Sequence, residues 1–445
     1  MRKMFKLIGV LLIALFVISI MPFVRPNALD ASQEEQIKQI LNQKSVNNER
    51  VSFIADPFDA FALRMAMIES AQESIAITSY IAHPGESTDM LFSALYDAAQ
   101  RGVKVSMVFD SKLGGMSGKL AQSLASHPNI TIYHYNPFHL FKPYQLQAVF
   151  HEKYFLVDEH MLVLGGRNIG DKYFDPPSFT SSVSYDYDIF AYQDEPTPFF
   201  ASINAHHESL IKNENVEKLE GSAKAYAVLQ DYPSYALKPY LEKTVKVDSI
   251  QFVSDPLTPQ DSTPFIASLL RELALKSEKE ILVQTPYMTH HPKLFTTLAH
   301  KKEDVDIAIL TNSISSSWNF PAFGAYYNFK KPFITSSDGL YEYQSEDGKD
   351  SIHGKAYLID ETLVLGSLNL DHRSYYINPE TVVLVEGEAI AKMFKDEYLH
   401  KLEKSYAIKQ GHLEAGFKSP AQAPLFKRIL MRVVGFVAYL FKILI

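Results

Sequence analysis

The chain has 445 residues, a formal net charge of −8 and no cysteine. Hydrophobic residues make up 47%, enough for a sizeable core, which excludes wholesale disorder. The acidic balance argues against a nucleic-acid partner, and the lack of cysteine removes disulfides, thiolate metal sites and thiol nucleophiles.

In chain order, Arg2, Lys3 and Lys6 precede an apolar run from Leu7 to Val24, 18 residues and just long enough to span a bilayer. Basic residues before the run place the N-terminus in the cytoplasm and the body outside. Residues 1–30 therefore read as a membrane anchor or signal. The poor small-residue cleavage signature after the run favours an uncleaved membrane anchor. Residues 31–50 are polar and read as a spacer.

From Val51 a pattern begins that recurs. VSFIADP (51–57) precedes a helix-like stretch from Phe61 to Ala71, a β-rich run from Ser74 to Tyr80 and a strand from Gly102. IQFVSDP (250–256) precedes the equivalents at Phe265 to Lys276, Glu280 to Tyr287 and Asp304 onward. Phe53 and Phe252 lie 199 residues apart, and His151 and His353 lie 202 apart. An offset that steady over such a length indicates duplication. The spacing predicts an α/β fold of two similar lobes, each a mixed β-sheet flanked by helices. The lobes cover 51–220 and 248–410, joined by a Gly- and Pro-punctuated linker over 221–247.

Each half ends in the same motif: HEKYFLVD from His151 and HGKAYLID from His353. His and Lys two apart on a strand point the same way, so His151 pairs with Lys153 and His353 with Lys355. Asp158 and Asp360 fall at the turn of a hairpin. The return strands reach Gly166 and Asn168 in one half and Ser367 and Asn369 in the other, where small residues let a ligand approach the backbone. A phosphodiester needs this inventory. The lysines and amides hold its negative charge, one neutral imidazole attacks phosphorus, and a second protonates the leaving alkoxide. The sequence implies two steps through a phosphohistidine, with no cofactor or metal. Downstream carboxylates can orient the imidazoles: Asp186 after the first motif, with Asp188 as its rival, and Glu380 after the second. Six residues separate Asp158 from Gly165 but only five separate Asp360 from Gly366, a difference the turn is expected to absorb.

Aromatic residues flank both motifs. Tyr133, Tyr135, Phe138, Phe141 and Tyr144 suit either a lipid entrance or the core. In the second half Trp318, Phe320, Phe323, Tyr326 and Tyr327 follow a loop-like stretch, which favours exposure. Residues 411–445 end in an apolar run carrying Lys427, Arg428, Arg432 and Lys442. It reads either as an amphipathic helix on anionic lipid or as a helix packed on the protein itself.

Taken together, the two motifs resemble those of the phospholipase D superfamily across roughly residues 50–400. Within it, YNPFHLF (135–141), GGRNIGDKYF (165–174) and GSLNLDHRSYYINPE (366–380) are most similar to bacterial cardiolipin synthases of the C branch. The resemblance implies two lobes with one active site at their interface. It also implies transfer of a phosphatidyl group to phosphatidylglycerol, with His151 as nucleophile and His353 as general acid, or the reverse. Phosphatidylethanolamine is a possible further lipid partner. Hydrolysis to phosphatidic acid is the alternative, and an inactive membrane scaffold another. Two motifs in one chain remove any need for an oligomer to complete the site.

Overall fold

The computed structural model describes residues 2–25, 27–43, 49–116, 118–139, 141–222, 231–289, 292–301, 303–317, 319–345, 349–413, 423–441 and 444. Trp318 and Lys442 lie outside them.

The duplicated sequence pattern becomes two sheets of matching order. In the first, neighbours run Val245–Lys246, Arg50–Ile54, Asp188–Tyr192, Met161–Gly165, Tyr154–Val157, Ser74–Ser79, Lys104–Asp110, Ile130–Tyr135 and Val216–Lys218. In the second they run Ser249–Ser254, Thr381–Glu386, Thr362–Gly366, Ala356–Ile359, Glu280–Gln284, Asp306–Asn312, Gly339–Tyr343 and Ser405–Lys409. Both are mixed: Ser74–Ser79 pairs in parallel with Lys104–Asp110 and antiparallel with Tyr154–Val157, and the second lobe repeats this. Strand alternation gives each motif hairpin two apolar faces. Phe155 and Val157 face the first lobe's own core, while Tyr154 and Leu156 meet Leu358 and Leu363 of the other lobe. The lobes are thus joined by a buried apolar layer. A short parallel pair, Ser184–Tyr185 with Ser351–Ile352, ties them beside the motifs.

The one-residue difference between the hairpins is taken up in the turn. Val157 pairs with Met161, leaving three residues in the first loop, whereas Ile359 pairs with Thr362, leaving two. Register then agrees: Gly165 N–H donates to Lys153 O and Gly366 N–H to Lys355 O, both at 3.3 Å. Asp158 and Asp360 adopt φ of 50° and 53°, a left-handed conformation that short polar side chains tolerate best.

Three sequence expectations change. The stretch expected as a polar spacer holds a helix, Ala31–Asn42, capped reciprocally by Asp30 and Gln33. Ile37, Ile40 and Leu41 share one face and pack on the second lobe's core. The second part of the expected linker belongs to the first lobe, because Val245–Lys246 pairs with Arg50–Val51 and Val245 joins the shared apolar layer. The aromatic cluster expected to be exposed is largely core: Phe323 and Tyr326 are fully buried in the helix Phe320–Phe329. In the first cluster Tyr135 is buried, whereas Phe141 is 95% exposed.

The C-terminal helix, Leu425–Leu440, is amphipathic and only partly covered by the protein. One face packs on Phe320–Phe329 through a close approach of Gly324 and Gly435, where a Cβ on Gly435 would sit 2.1 Å from Gly324 O. The other face leaves Phe426, Ile429, Val433, Phe436 and Val437 exposed. The N-terminal helix, Arg2–Val24, is long and apolar enough to cross a membrane. Its end is fixed to the body: Gln147 donates to Ser19 Oγ at 2.8 Å, and Phe23 is buried against Ala148 and Ile377.

Candidate active site

Each motif's His and Lys lie just ahead of the strand that follows, since ladder pairing starts at Tyr154 and Ala356 rather than at the histidines. The two segments meet where the lobes join. His151 Nδ1 lies 2.8 and 3.0 Å from the two carboxylate oxygens of Glu380. His353 Nδ1 is hydrogen-bonded to Asp186 Oδ2. The carboxylates are therefore crossed. The sequence pairs Asp186 with the first motif and Glu380 with the second, but each reaches the histidine of the opposite lobe. Asp186 and Glu380 are structurally equivalent, each two residues before the residue that pairs with Gly165 or Gly366. Duplication followed by face-to-face packing directs both across the interface.

With Nδ1 donating to a carboxylate, each Nε2 presents its lone pair, and at His353 the Lys355 ammonium already approaches it. The lysines turn inward. Lys153 Nζ donates to His151 O, and Lys355 Nζ lies 2.5 Å from His353 O and 3.2 Å from His353 Nε2. A Cβ on Gly166 would stand 2.5 Å from Asp186 Oδ1 and 3.0 Å from Lys355 Cδ, so only glycine admits the crossed carboxylate there. Ser367 takes the equivalent place in the other lobe, where its Oγ accepts the Thr381 N–H at 3.0 Å, beside Glu380. Asn168 and Asn369 lie at the same relative positions. Their amides bond Tyr173 OH at 3.1 Å and Tyr287 OH at 3.3 Å, and in both the remaining buried oxygen has no partner. Turning either amide by 180° would let the tyrosine donate to oxygen and offer NH2 to a bound anion.

The site is a buried cluster of four basic groups and two acids. Burial lowers Lys153 to about 7 against the pull of Glu380, and lowers Lys355 to about 8 against Asp186. Burial also holds His151 well below the ordinary imidazole value, helped by Lys153, Lys355 and Arg373. His353 is lowered to about 3 by burial and Lys355, with Asp186 opposing. The two carboxylates differ. Burial pushes Glu380 up to about 7, with Lys153 only partly opposing. At Asp186 burial acts upward too, but Lys355 and His353 outweigh it and hold the carboxyl below its usual range. A bound anion would oppose the lysines and return protons to the imidazoles.

Two motif residues are absent from this cluster. Asp158 accepts the backbone N–H groups of Gln72, Glu73 and Ser74 at 2.8–2.9 Å, and Asp360 those of Glu278, Lys279 and Glu280 at 2.9–3.0 Å. Four residues of extended chain, five steps and about 17 Å, separate each from its lysine. They tie the hairpin turns to the neighbouring strands and position the motif from a distance. Asp188, the rival to Asp186, faces elsewhere: it takes Arg64 at 3.0 Å and Arg167 at 2.9 Å in a fully buried network.

Sequence reasoning passed over several neighbours. Tyr80 stands edge-on to His151 and Tyr173 edge-on to His353, each at 5.3 Å between ring centroids. Arg373 is half-buried beside the site and donates to Gln147 O and, at 3.1 Å, to Leu444 O. All three lie within segments whose pattern was visible, but nothing local marks which way they point.

A family profile described as "Cardiolipin synthase, PLD-like domain" matches residues 65–195 and 270–402, one match per lobe. The chain belongs to this phospholipase D-like family. Among its relatives is cardiolipin synthase C of Escherichia coli, 26% identical over 391 residues, covering 77% of this chain and 82% of the relative. A cardiolipin synthase of Clostridium perfringens is 23% identical over 359 residues, 78% of this chain and 69% of that one. Among solved structures, the phosphatidylserine synthase of Haemophilus influenzae aligns with a TM-score of 0.66 at 14% identity, over 92% of this chain and 99% of that one. That likeness carries the PLD-like fold alone. The two matched spans contain all four motif residues that meet in the cluster, together with both crossed carboxylates.

Proposed function

We propose that the chain is a membrane-anchored phosphatidyltransferase that joins a phosphatidyl group to phosphatidylglycerol, as a cardiolipin synthase does. The observation that supports this best is the crossed site: two imidazoles, each held by the other lobe's carboxylate, around two buried lysines. In the first step His151 Nε2 attacks phosphorus, forming a P–N bond. The P–O bond to the departing alcohol breaks as His353 gives that oxygen its proton. In the second, His353 takes the proton of the acceptor hydroxyl, the new P–O bond forms and the P–N bond breaks. Lys153, Lys355 and the amides of Asn168 and Asn369 hold the charge on the phosphoryl oxygens throughout. The assignment of roles follows the carboxylates. Both imidazoles are neutral in the empty site, but anionic Asp186 pulls His353 back toward the imidazolium that a general acid needs, whereas His151 faces a Glu380 raised to about 7 and gains less from it.

Purified full-length protein incubated with labelled phosphatidylglycerol, with and without phosphatidylethanolamine, is expected to yield cardiolipin. Phosphatidic acid as the sole lipid product would replace transfer with hydrolysis, and no lipid turnover at all would leave a scaffold.

The membrane is part of this proposal. The N-terminal helix crosses it with the body on the outer face. The exposed apolar side of Leu425–Leu440 lies in the same surface, since Phe441 packs edge-on against Phe16 of the N-terminal helix at 6.2 Å. Arg428 and Arg432 on this helix suit anionic headgroups. A reporter fused to the C-terminus is expected to be active only outside the cytoplasm; a cytoplasmic signal reverses the orientation.

A further inference from the structure

Beside His353 lies a group of residues the mechanism leaves unused. The turn from Gly170 to Phe174 carries Lys172, whose ammonium sits 4.7 Å from the centroid of the Tyr173 ring. Lys172 is half-buried, burial alone lowers its basicity, and no carboxylate pairs with it among the described residues. The neighbouring Asp171 is engaged elsewhere, accepting the backbone N–H groups of Glu86 at 3.1 Å and Ser87 at 2.9 Å. His83 stacks on the same tyrosine ring at 6.3 Å and 20°. Its Nε2 is buried and has no hydrogen-bond partner. Gly170, at φ 149°, admits this approach, because a Cβ there would lie 2.9 Å from His83 Cβ.

A half-buried ammonium with no carboxylate beside it keeps donors for a ligand, and a buried ring nitrogen without a partner is costly unless one completes it. What completes both is an anion with acceptor oxygens. Its distance from the reacting centre is constrained. Tyr173 is in contact with both Lys172 and the His353 ring, which is 5.3 Å from it, so the two legs set an upper limit of about 10 Å on the ammonium-to-imidazole separation. In phosphatidylglycerol the attacking hydroxyl and the lipid's own phosphate sit at opposite ends of one glycerol. Six bonds near 1.5 Å would then separate the two phosphorus atoms in the product, a span of roughly 6–8 Å. An acceptor hydroxyl at His353 therefore has its own phosphate within reach of Lys172.

We infer that Lys172 and His83 form a second anion subsite, which binds the phosphodiester of the acceptor lipid and so favours an anionic alcohol over a neutral alcohol or water. This rests on the transfer reading above and names the acceptor side of the same site. The subsite is separate from the catalytic charges: Lys153 and Lys355 hold the phosphoryl group being transferred, and Lys172 holds the one that stays intact.

The test uses the full-length protein in phosphatidylglycerol vesicles supplied with labelled glycerol, so that the lipid and the neutral alcohol compete for one phosphohistidine. The quantity read is the ratio of cardiolipin formed to glycerol label incorporated. Lys172→Gln is expected to lower this ratio by about tenfold, the order of one charge-assisted contact. Lys172→Arg is expected to keep most of the ratio, and His83→Gln to lower it by about threefold on the weaker, neutral contact. A ratio unmoved by Lys172→Gln overturns the subsite, and so does an equal fall in the Arg and Gln variants, which would mean a packing role. A wild-type enzyme that forms no cardiolipin overturns the transfer reading together with the subsite. Cardiolipin from the wild type with an unmoved ratio in the variants overturns the subsite alone.

Discussion

Asp186→Asn is expected to lower kcat on phospholipid by about three to four powers of ten, the scale seen when an amide replaces the carboxylate behind a catalytic imidazole. The chain would still fold around it, because the amide is the same size and the fully buried salt bridges of the region belong to Asp188. What is lost is the acceptor for His353 Nδ1–H and the negative charge that stabilises the imidazolium. The defect lies in protonating the leaving group, so it should depend on that group. With a donor whose leaving group is an acidic phenol, which departs without a proton, formation of the phosphoenzyme should recover by at least about a hundredfold, the usual worth of general acid catalysis. Glu380→Gln is expected to show no such recovery, because Glu380 orients the nucleophile. This separates the crossed arrangement from the one that sequence order suggests. If each carboxylate served its own motif, Asp186→Asn would resist rescue and Glu380→Gln would respond to it. Burst kinetics with both donors decide between them.

The contrast shows where the sequence was legible and where it was not. The histidines and lysines could be read because the information is local: residues two apart on an extended segment share a face wherever the segment lies. The duplication was legible for the same reason, and the matching sheet orders follow from it. The hairpins' equal register was foreseeable too, since a turn can lose a residue that a ladder cannot. The crossing of Asp186 and Glu380 was not, because it arises only when two copies pack face to face, a relation absent from either copy alone. Tyr173 and Arg373 were invisible for a similar reason, as their contacts come from the opposite lobe or from Leu444. The helix Ala31–Asn42 was different. Its capping residues Asp30 and Gln33 and the spacing of Ile37, Ile40 and Leu41 are present in the sequence, but polar composition outweighed a short apolar stripe.

The two imidazoles should part most sharply in the covalent step. His151→Ala is expected to lose phospholipid turnover by about five powers of ten or more, because the remaining imidazole, His353, cannot be nucleophile and proton donor in the same step. Acidic leaving groups should not restore it, and no label from a phosphorus-labelled donor should stay on the protein. His353→Ala is expected to lose turnover of ordinary phospholipid almost as completely, for want of a proton donor. Given a phenolic donor, however, it still has the attacking nitrogen, and Lys153 and Lys355 still hold the phosphoryl oxygens. The first step then proceeds, while the second lacks the base that deprotonates the acceptor. Labelled phosphoenzyme should accumulate toward one equivalent per chain, acid-labile and stable to alkali as a phosphoramidate is, and peptide mapping should place it at His151. Label at residue 353 in the reciprocal variant, with none at 151, would exchange the two roles while leaving the crossed site intact. The more acidic carboxylate, Asp186, lies behind His353 and not behind His151, which makes the first outcome the expected one.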